Sequence, residues 1–258
     1  MKRLMLFVPA AFLFAALASA GAAMTAREII EKAEAAVRGD SQIARFDITI
    51  KTRRWTRTLK MKSWDNRKAR KSFAEILAPK KDAGNRFLMI HAEGLMWHYN
   101  PDIGKEMKIH PSMMLQSWMG SDFTNDDIVK ESSIINDYEH SLDGRAVVDG
   151  HECYVIRMDP KPDAAVVWGR VLYYARTQDC LPVKEEFYDQ HGRLKRVLTF
   201  SGFRVMGGRM IPTIYKMVTL KKNRDDRADE YTMMEIKDIV FNVPIPSSVF
   251  SLQHLKRR

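Results

Sequence analysis

The chain has 258 residues, of which 45% are hydrophobic and 29% charged, and its formal net charge is +10. That length suits a single all-β domain, and its two cysteines are too few to build a cysteine-based metal site by themselves. The excess of lysine and arginine calls for an anionic partner or a solvated basic surface.

The N-terminus narrows that choice. Lys2 and Arg3 form a short basic start, Leu4 to Leu17 is apolar and uncharged, and Ala18-Ser19-Ala20 offers small residues for cleavage. The apolar run falls short of the roughly 20 residues of a spanning helix. The pattern predicts a cleaved secretory signal over residues 1–20, with an uncleaved anchor as the alternative, and one mature domain over 21–258 exported to the periplasm. No cysteine follows the cleavage region, so the chain itself is not expected to carry lipid. Nucleic acid is not an expected partner of an exported protein, whereas an anionic membrane surface is. Cys153 and Cys180 lie in strand-like stretches of a chain bound for an oxidising compartment, so a disulfide between neighbouring strands is expected.

The first mature element is a helix. Thr25 is placed to cap it, Glu28 completes a capping box, and Ile29, Ile30, Ala33, Ala36 and Val37 recur at helical spacing before Gly39. Strands dominate afterwards. "RFDITIKT" alternates Phe46, Ile48 and Ile50 with polar residues, and "TLKMKSW" repeats the pattern with Leu59 and Met61. "GLMWHYNPD" puts Leu95, Trp97 and Tyr99 on one face, with Met96 and His98 on the other. Further short strand-like runs continue to "YTMMEIKDIVF", with turn signals at Asp143-Gly144, Asp149-Gly150, His191-Gly192 and Gly207-Gly208. Such spacing predicts a meandering sheet, a barrel or a sandwich.

Residues Pro111 to Ser133 break the strand pattern. Met114, Leu115 and Trp118 sit at helical spacing and Gly120 can end that turn. Thr124 then offers a cap, with Asp126 and Asp127 in the first turn of a second short helix. Met113, Met114, Trp118, Met119 and Phe123 make the insert large, soft and apolar, the composition of surfaces that accept varied apolar ligands. It is a lid, a plug, or a cap on an ordinary core.

Signs of catalysis are weak. His91, His98 and His110 are strung along strands without metalloprotease spacing, and Asp122, Asp126 and Asp127 lack the spacing of a calcium loop. No nucleophile elbow, phosphate loop or dinucleotide fingerprint occurs. An enzyme is therefore not expected, although a catalytic triad can assemble in space without leaving a linear motif.

Several stretches together resemble a known family. "GLMWHYNP" is similar to a strand and turn of periplasmic outer-membrane lipoprotein-sorting proteins, the Lol-type carriers. "WMGSDFTNDDI", "CLPVKEEFYDQHGRLKRVLTF", "GGRMIPTIYKM" and "VFSLQHL" resemble, in order, the branch that accompanies inner-membrane transporters. The resemblance implies a curved, incompletely closed antiparallel β-barrel with helices in its concave side, needing no cofactor or metal. It implies an apolar hollow for the acyl chains of a lipoprotein or lipid, with the cargo left open. An inner-membrane transporter would load a monomeric carrier, and an outer-membrane acceptor would unload it. The expected cavity and lid residues are Phe46, Ile48, Ile50, Leu59, Met61, Trp97, Tyr99, Met113, Met114, Leu115, Trp118 and Phe123. In better-known carriers an arginine on an early strand holds the lid closed; Arg67 lies nearest that place, with Arg70 competing. The alternatives are a lipid or lipoprotein sensor that regulates a partner, and an exported hydrolase.

Overall fold

The computed structural model describes residues 24–129, 133–164, 166–220 and 230–257. The expected signal peptide over residues 1–20 lies outside the described residues.

Helix α1 spans Ala26–Val37, and the capping box forms as expected: the Glu28 amide donates to the Thr25 hydroxyl at 3.2 Å, and the Thr25 amide donates to the Glu28 carboxylate at 2.7 Å. Ile29, Ile30 and Ala33 are wholly buried against Ile156, Met158, Val171 and Tyr173. Burying each isoleucine contributes about 1.5–3 kcal/mol, which holds the helix on the sheet far more firmly than its own propensity would.

The remainder is mainly β. Strands β1 (Ser41–Lys51), β2 (Thr56–Asn66), β3 (Lys71–Ala78), β4 (Arg86–Ile90), β5 (Leu95–Asn100) and β6 (Lys105–Lys108) form one meander. After the insert come β7 (Tyr138–Val148), β8 (His151–Pro160), β9 (Arg170–Arg176), β10 (Pro182–Tyr188) and β11 (Leu194–Ser201). The small ribbon β12 (Arg204–Met206) and β13 (Arg209–Ile211) precedes β14 (Ile214–Thr219) and β15 (Tyr231–Phe241). Pairing of β1 with β15 joins the two halves into one antiparallel sheet of 13 strands, in the order β6-β5-β4-β3-β2-β1-β15-β14-β11-β10-β9-β8-β7. Its edges, β6 and β7, are not hydrogen-bonded to each other, so the sheet stays open. The insert is the connection between those two edges. It has to cross the gap the sheet leaves.

Three of the four turn signals hold. Asp149 and Gly150 both have positive φ (48° and 77°) and turn β7 into β8, as a tight hairpin requires. His191-Gly192 lies between β10 and β11, and Gly207-Gly208 between β12 and β13. Asp143-Gly144 is corrected: it is a bulge within β7, where the register slips between Leu142 and Gly144. Gly144 takes φ 115°, so the chain bends there without reversing.

The cysteines are also corrected. Both are free and buried. Cys153 packs with Val155, Tyr174 and Val183, whereas Cys180 joins Tyr173, Ile156 and α1 in a different cluster. Tyr173 and Tyr174 are adjacent in β9, so these two clusters lie on opposite faces of the sheet. Cys180 lies in the turn between β9 and β10, and its packing on the opposite face keeps the thiols apart. Burial raises both thiol pKa values.

Candidate functional site

The sheet encloses a hollow of about 400 Å³, within the range of pockets that hold small organic ligands. Its walls come from β1–β4 on one side and from β9–β11, β14 and β15 on the other; α1 and the insert supply the rest. The lining is chiefly apolar and soft, including Phe46, Ile48, Met61, Met89, Leu198, Phe200, Met217 and Met234. Most of these arise from strands that alternate inward apolar and outward polar residues, as β1 and β2 do.

Of the residues predicted for the cavity, Phe46, Ile48, Met61, Trp118 and Phe123 line it. Ile50 and Leu59 are fully buried in the adjoining cluster, and Met114 packs against that cluster. Met113 and Leu115 point to solvent, 40% and 62% exposed. Trp97 and Tyr99 are corrected: they lie on the outer face. Trp97 pairs with Leu88, and both aromatics pack with Phe73, Leu88, Phe250 and Leu255 under the C-terminal segment. Arg86, stacked under Tyr99 at 4.9 Å, donates to the Leu255 carbonyl at 2.9 Å and fastens that segment down. Met96 and His98 take the inward places: Met96 joins the inner cluster, and His98 stacks on Phe87 at 4.6 Å and donates to Asn85 Oδ1 at 2.7 Å. The parity of β5 was legible; its direction was not, because both faces are apolar and covered.

The insert is less helical than its spacing predicted. Pro111–Met113 and Trp118–Gly120 are single 3₁₀ turns; Met119 takes φ 51° and Gly120 φ 80°, which stops a regular helix there. A bridge between Ser117 and Thr124 folds the segment back on itself. Helix α2, Asn125–Val129, then forms at the predicted cap: the Asp127 amide donates to Thr124 Oγ1 at 3.1 Å, and the Asp127 carboxylate accepts from the Thr124 amide at 2.7 Å. Trp118 is 4% exposed and meets Phe87 edge-on at 5.4 Å.

Polar tethers bind this insert to the sheet. Arg57 on β2 donates to the Met119 carbonyl and pairs with Asp82 at 3.3 Å. Arg196 on β11 pairs with Asp127 at 2.6 Å, with its guanidinium over Trp168 at 5.0 Å. The Asp122 amide donates to Thr232 Oγ1 at 2.8 Å, and that hydroxyl donates back to the Asp122 carboxylate. Arg67 is no such tether: it is exposed in the turn after β2, where its amide donates to the Asp40 carbonyl at 2.9 Å. The signal that marks Arg57 was present. It shares parity with Leu59 and Met61, so a charge was being sent inward. Arg196 stands in the same relation to Leu198 and Phe200, and Thr232 to Met234 and Ile236.

The histidines have structural partners. His91 Nδ1 donates to the Val129 carbonyl at 2.7 Å and its Nε2 accepts from Ser72, so it fixes the end of α2. His110 accepts from the Ser112 amide at 3.3 Å as a cap. Among the described residues, no group of three or more His, Cys, Asp or Glu side chains is arranged to hold a metal ion, and no helix is long and apolar enough to cross a membrane.

One carboxyl stands apart. Glu185 shares parity with Phe187 on β10 and faces the hollow, half-buried in its wall. Burial is the main cause that pushes its pKa up to about 8; the nearby Glu34 carboxylate adds to it, and Arg38 partly opposes it. Arg38 is itself engaged by Glu34 at 3.0 Å. Tyr173, next to Glu185 across the strands, is held well above the usual phenol range, chiefly by burial.

A family model described as an uncharacterized protein matches residues 68–257. The chain belongs to that family. No curated protein matches the sequence. Among solved structures, this family member resembles a DUF1329 family protein from Desulfovibrio piger, with 20% identity and a TM-score of 0.77 over 89% of this chain and 97% of that one. An outer membrane lipoprotein-sorting protein domain from Vibrio parahaemolyticus aligns with 18% identity and a TM-score of 0.73, over 90% of this chain and 98% of that one. A LolA superfamily protein from Nitrosomonas europaea aligns with 21% identity and a TM-score of 0.72, over 90% and 100%. The fold is therefore the open antiparallel sheet shared with these three structures, which fits the incompletely closed barrel that the sequence resemblance implied.

Proposed function

We propose that this protein is a periplasmic carrier that shields the acyl chains of a lipoprotein or lipid during transfer from the inner to the outer membrane. The observation that carries the reading is the apolar hollow, bounded by the segment that bridges the two open edges of the sheet. An acyl chain gains about 0.8 kcal/mol for each buried CH₂, so transport through water requires an enclosure of this kind. The fold shared with lipoprotein-sorting proteins supports the same reading.

In this mechanism the sheet is the fixed wall and the insert, about residues 111–129, is the lid. The lid contributes Trp118, Phe123 and Ile128 to the apolar lining, and these contacts substitute for cargo in the empty protein. Arg57 and Arg196 hold the lid through one carbonyl and one carboxylate, Thr232 through Asp122 and His91 through the Val129 carbonyl, and these are the polar contacts that cargo binding displaces. An inner-membrane transporter loads the hollow, and release follows when an outer-membrane acceptor offers a better apolar environment. Native mass spectrometry of protein purified from the periplasm tests this reading directly. A copurified lipid or acylated peptide is expected. Delipidated, folded protein that fails to bind an uncharged fluorescent apolar probe such as phenylnaphthylamine refutes the carrier.

A further inference from the structure

The ionisable residues around the hollow are mostly acidic, whereas the chain as a whole is basic. The protein carries a formal net charge of +10. Among the described residues lining the cavity, however, five are acidic (Glu34, Asp65, Asp126, Asp127 and Glu185) and Arg38 alone is basic. Two of the acids are neutralised within the protein, Glu34 by Arg38 and Asp127 by Arg196. Glu185 is different. It makes no hydrogen bond or ion pair with any described residue, and its open side is the hollow itself. A carboxyl that opens onto an apolar hollow without a protein partner is the place where a donor on the occupant gains most.

We propose that the preferred occupant of the hollow is an amphiphile whose polar end is a primary ammonium, seated on Glu185 beside the Glu34–Arg38 pair. This rests on the carrier reading and adds the head group to it. An ammonium is a compact triple donor with no acceptor, which suits a site of carboxylate and phenol oxygens. A carboxylate or phosphate head would instead meet the Glu34 carboxylate as a like charge and could be seated on Glu185 only while that carboxyl keeps its proton, with Arg38 already engaged. The groups facing Glu185 are Glu34 on α1, Arg38 at the C-terminal cap of that helix, Tyr138 on β7 and Tyr173 on β9, with Tyr215 of β14 near Tyr173. Burial holds the phenols of Tyr138 and Tyr173 neutral as well. Binding the ammonium favours the carboxylate form, so Glu185 gives up its proton to solvent as the ligand enters.

The test uses the full mature chain, delipidated, and displacement of the uncharged dye phenylnaphthylamine by dodecylammonium, dodecanol or dodecanoate. Wild type should prefer dodecylammonium to dodecanol by about tenfold or more, the equivalent of one unit of coupled pKa. That preference should grow between about pH 6 and pH 9, as Glu185 ionises while the amine stays charged. Glu185→Gln keeps the shape and removes the charge; it should lose the preference and its pH dependence yet retain dodecanol binding. Equal displacement by all three ligands, or tightest binding of dodecanoate, overturns the head-group proposal and leaves the carrier standing. No displacement by any of them, from protein whose circular dichroism shows it folded, overturns both.

Discussion

Replacing Glu185 with glutamine should make the protein more stable at neutral pH, against the usual expectation for a buried substitution. The native pKa is raised from an ordinary 4.5 to about 8, so native Glu185 keeps its proton over a range where the unfolded chain releases it. The native state binds the extra proton, so stability from this group is full below about pH 4.5 and is lost as pH rises towards about 8. At pH 7 the loss is on the order of 3 kcal/mol, at about 1.4 kcal/mol for each pH unit crossed. Glutamine has no such proton to lose and fills the same space. Urea unfolding of both proteins at about pH 4.5, 7 and 9 measures the difference directly, because contributions common to the two chains cancel. The curves should coincide in acid and separate above it, with the variant more stable. Parallel curves, or a variant weaker at pH 7, would show that Glu185 is solvated or has a counter-ion, and the argument from burial would fail.

The tethers of the insert can be separated from the core. Arg57→Met removes the donor to the Met119 carbonyl and strips Asp82 of its partner, at a cost of about 2 kcal/mol for a partly buried pair; hydrogen exchange should quicken over residues 111–129 while the central strands keep their protection. A uniform rise would place the insert in the core. Trp118→Ala should cost less than the roughly 3–5 kcal/mol of a fully buried aromatic and should change uptake of a fluorescent fatty acid. Trp97→Ala, on the outer face, should destabilise the protein in urea and leave uptake unchanged; altered uptake would contradict its place under the C-terminal segment. Thiol labelling of denatured, unreduced protein should find both Cys153 and Cys180 reactive, and finding neither would restore the disulfide.

Much of this architecture could be read from residue order alone. Local rules act over a few residues, so the capping box at Thr25 and Glu28, the cap at Thr124 and Asp127, and the inward parity of Phe46, Ile48, Leu59 and Met61 were all legible. The insert stood out because a helical period interrupted strand periods. What the sequence left open was direction. A strand's alternation names two faces without saying which one meets the hollow, and on β5 the C-terminal segment, some 150 residues later in the chain, covers the aromatic face. The same limit misplaced the disulfide, since Cys153 and Cys180 occupy neighbouring elements but opposite faces. Arg57, Arg196 and Glu185 were visible as charges at inward positions, but only the packing of the insert and of α1 against the sheet gave them neighbours. Periodicity is a property of the local backbone. The partner of a buried charge depends on which distant strands the sheet brings around it, and that is decided by the tertiary fold.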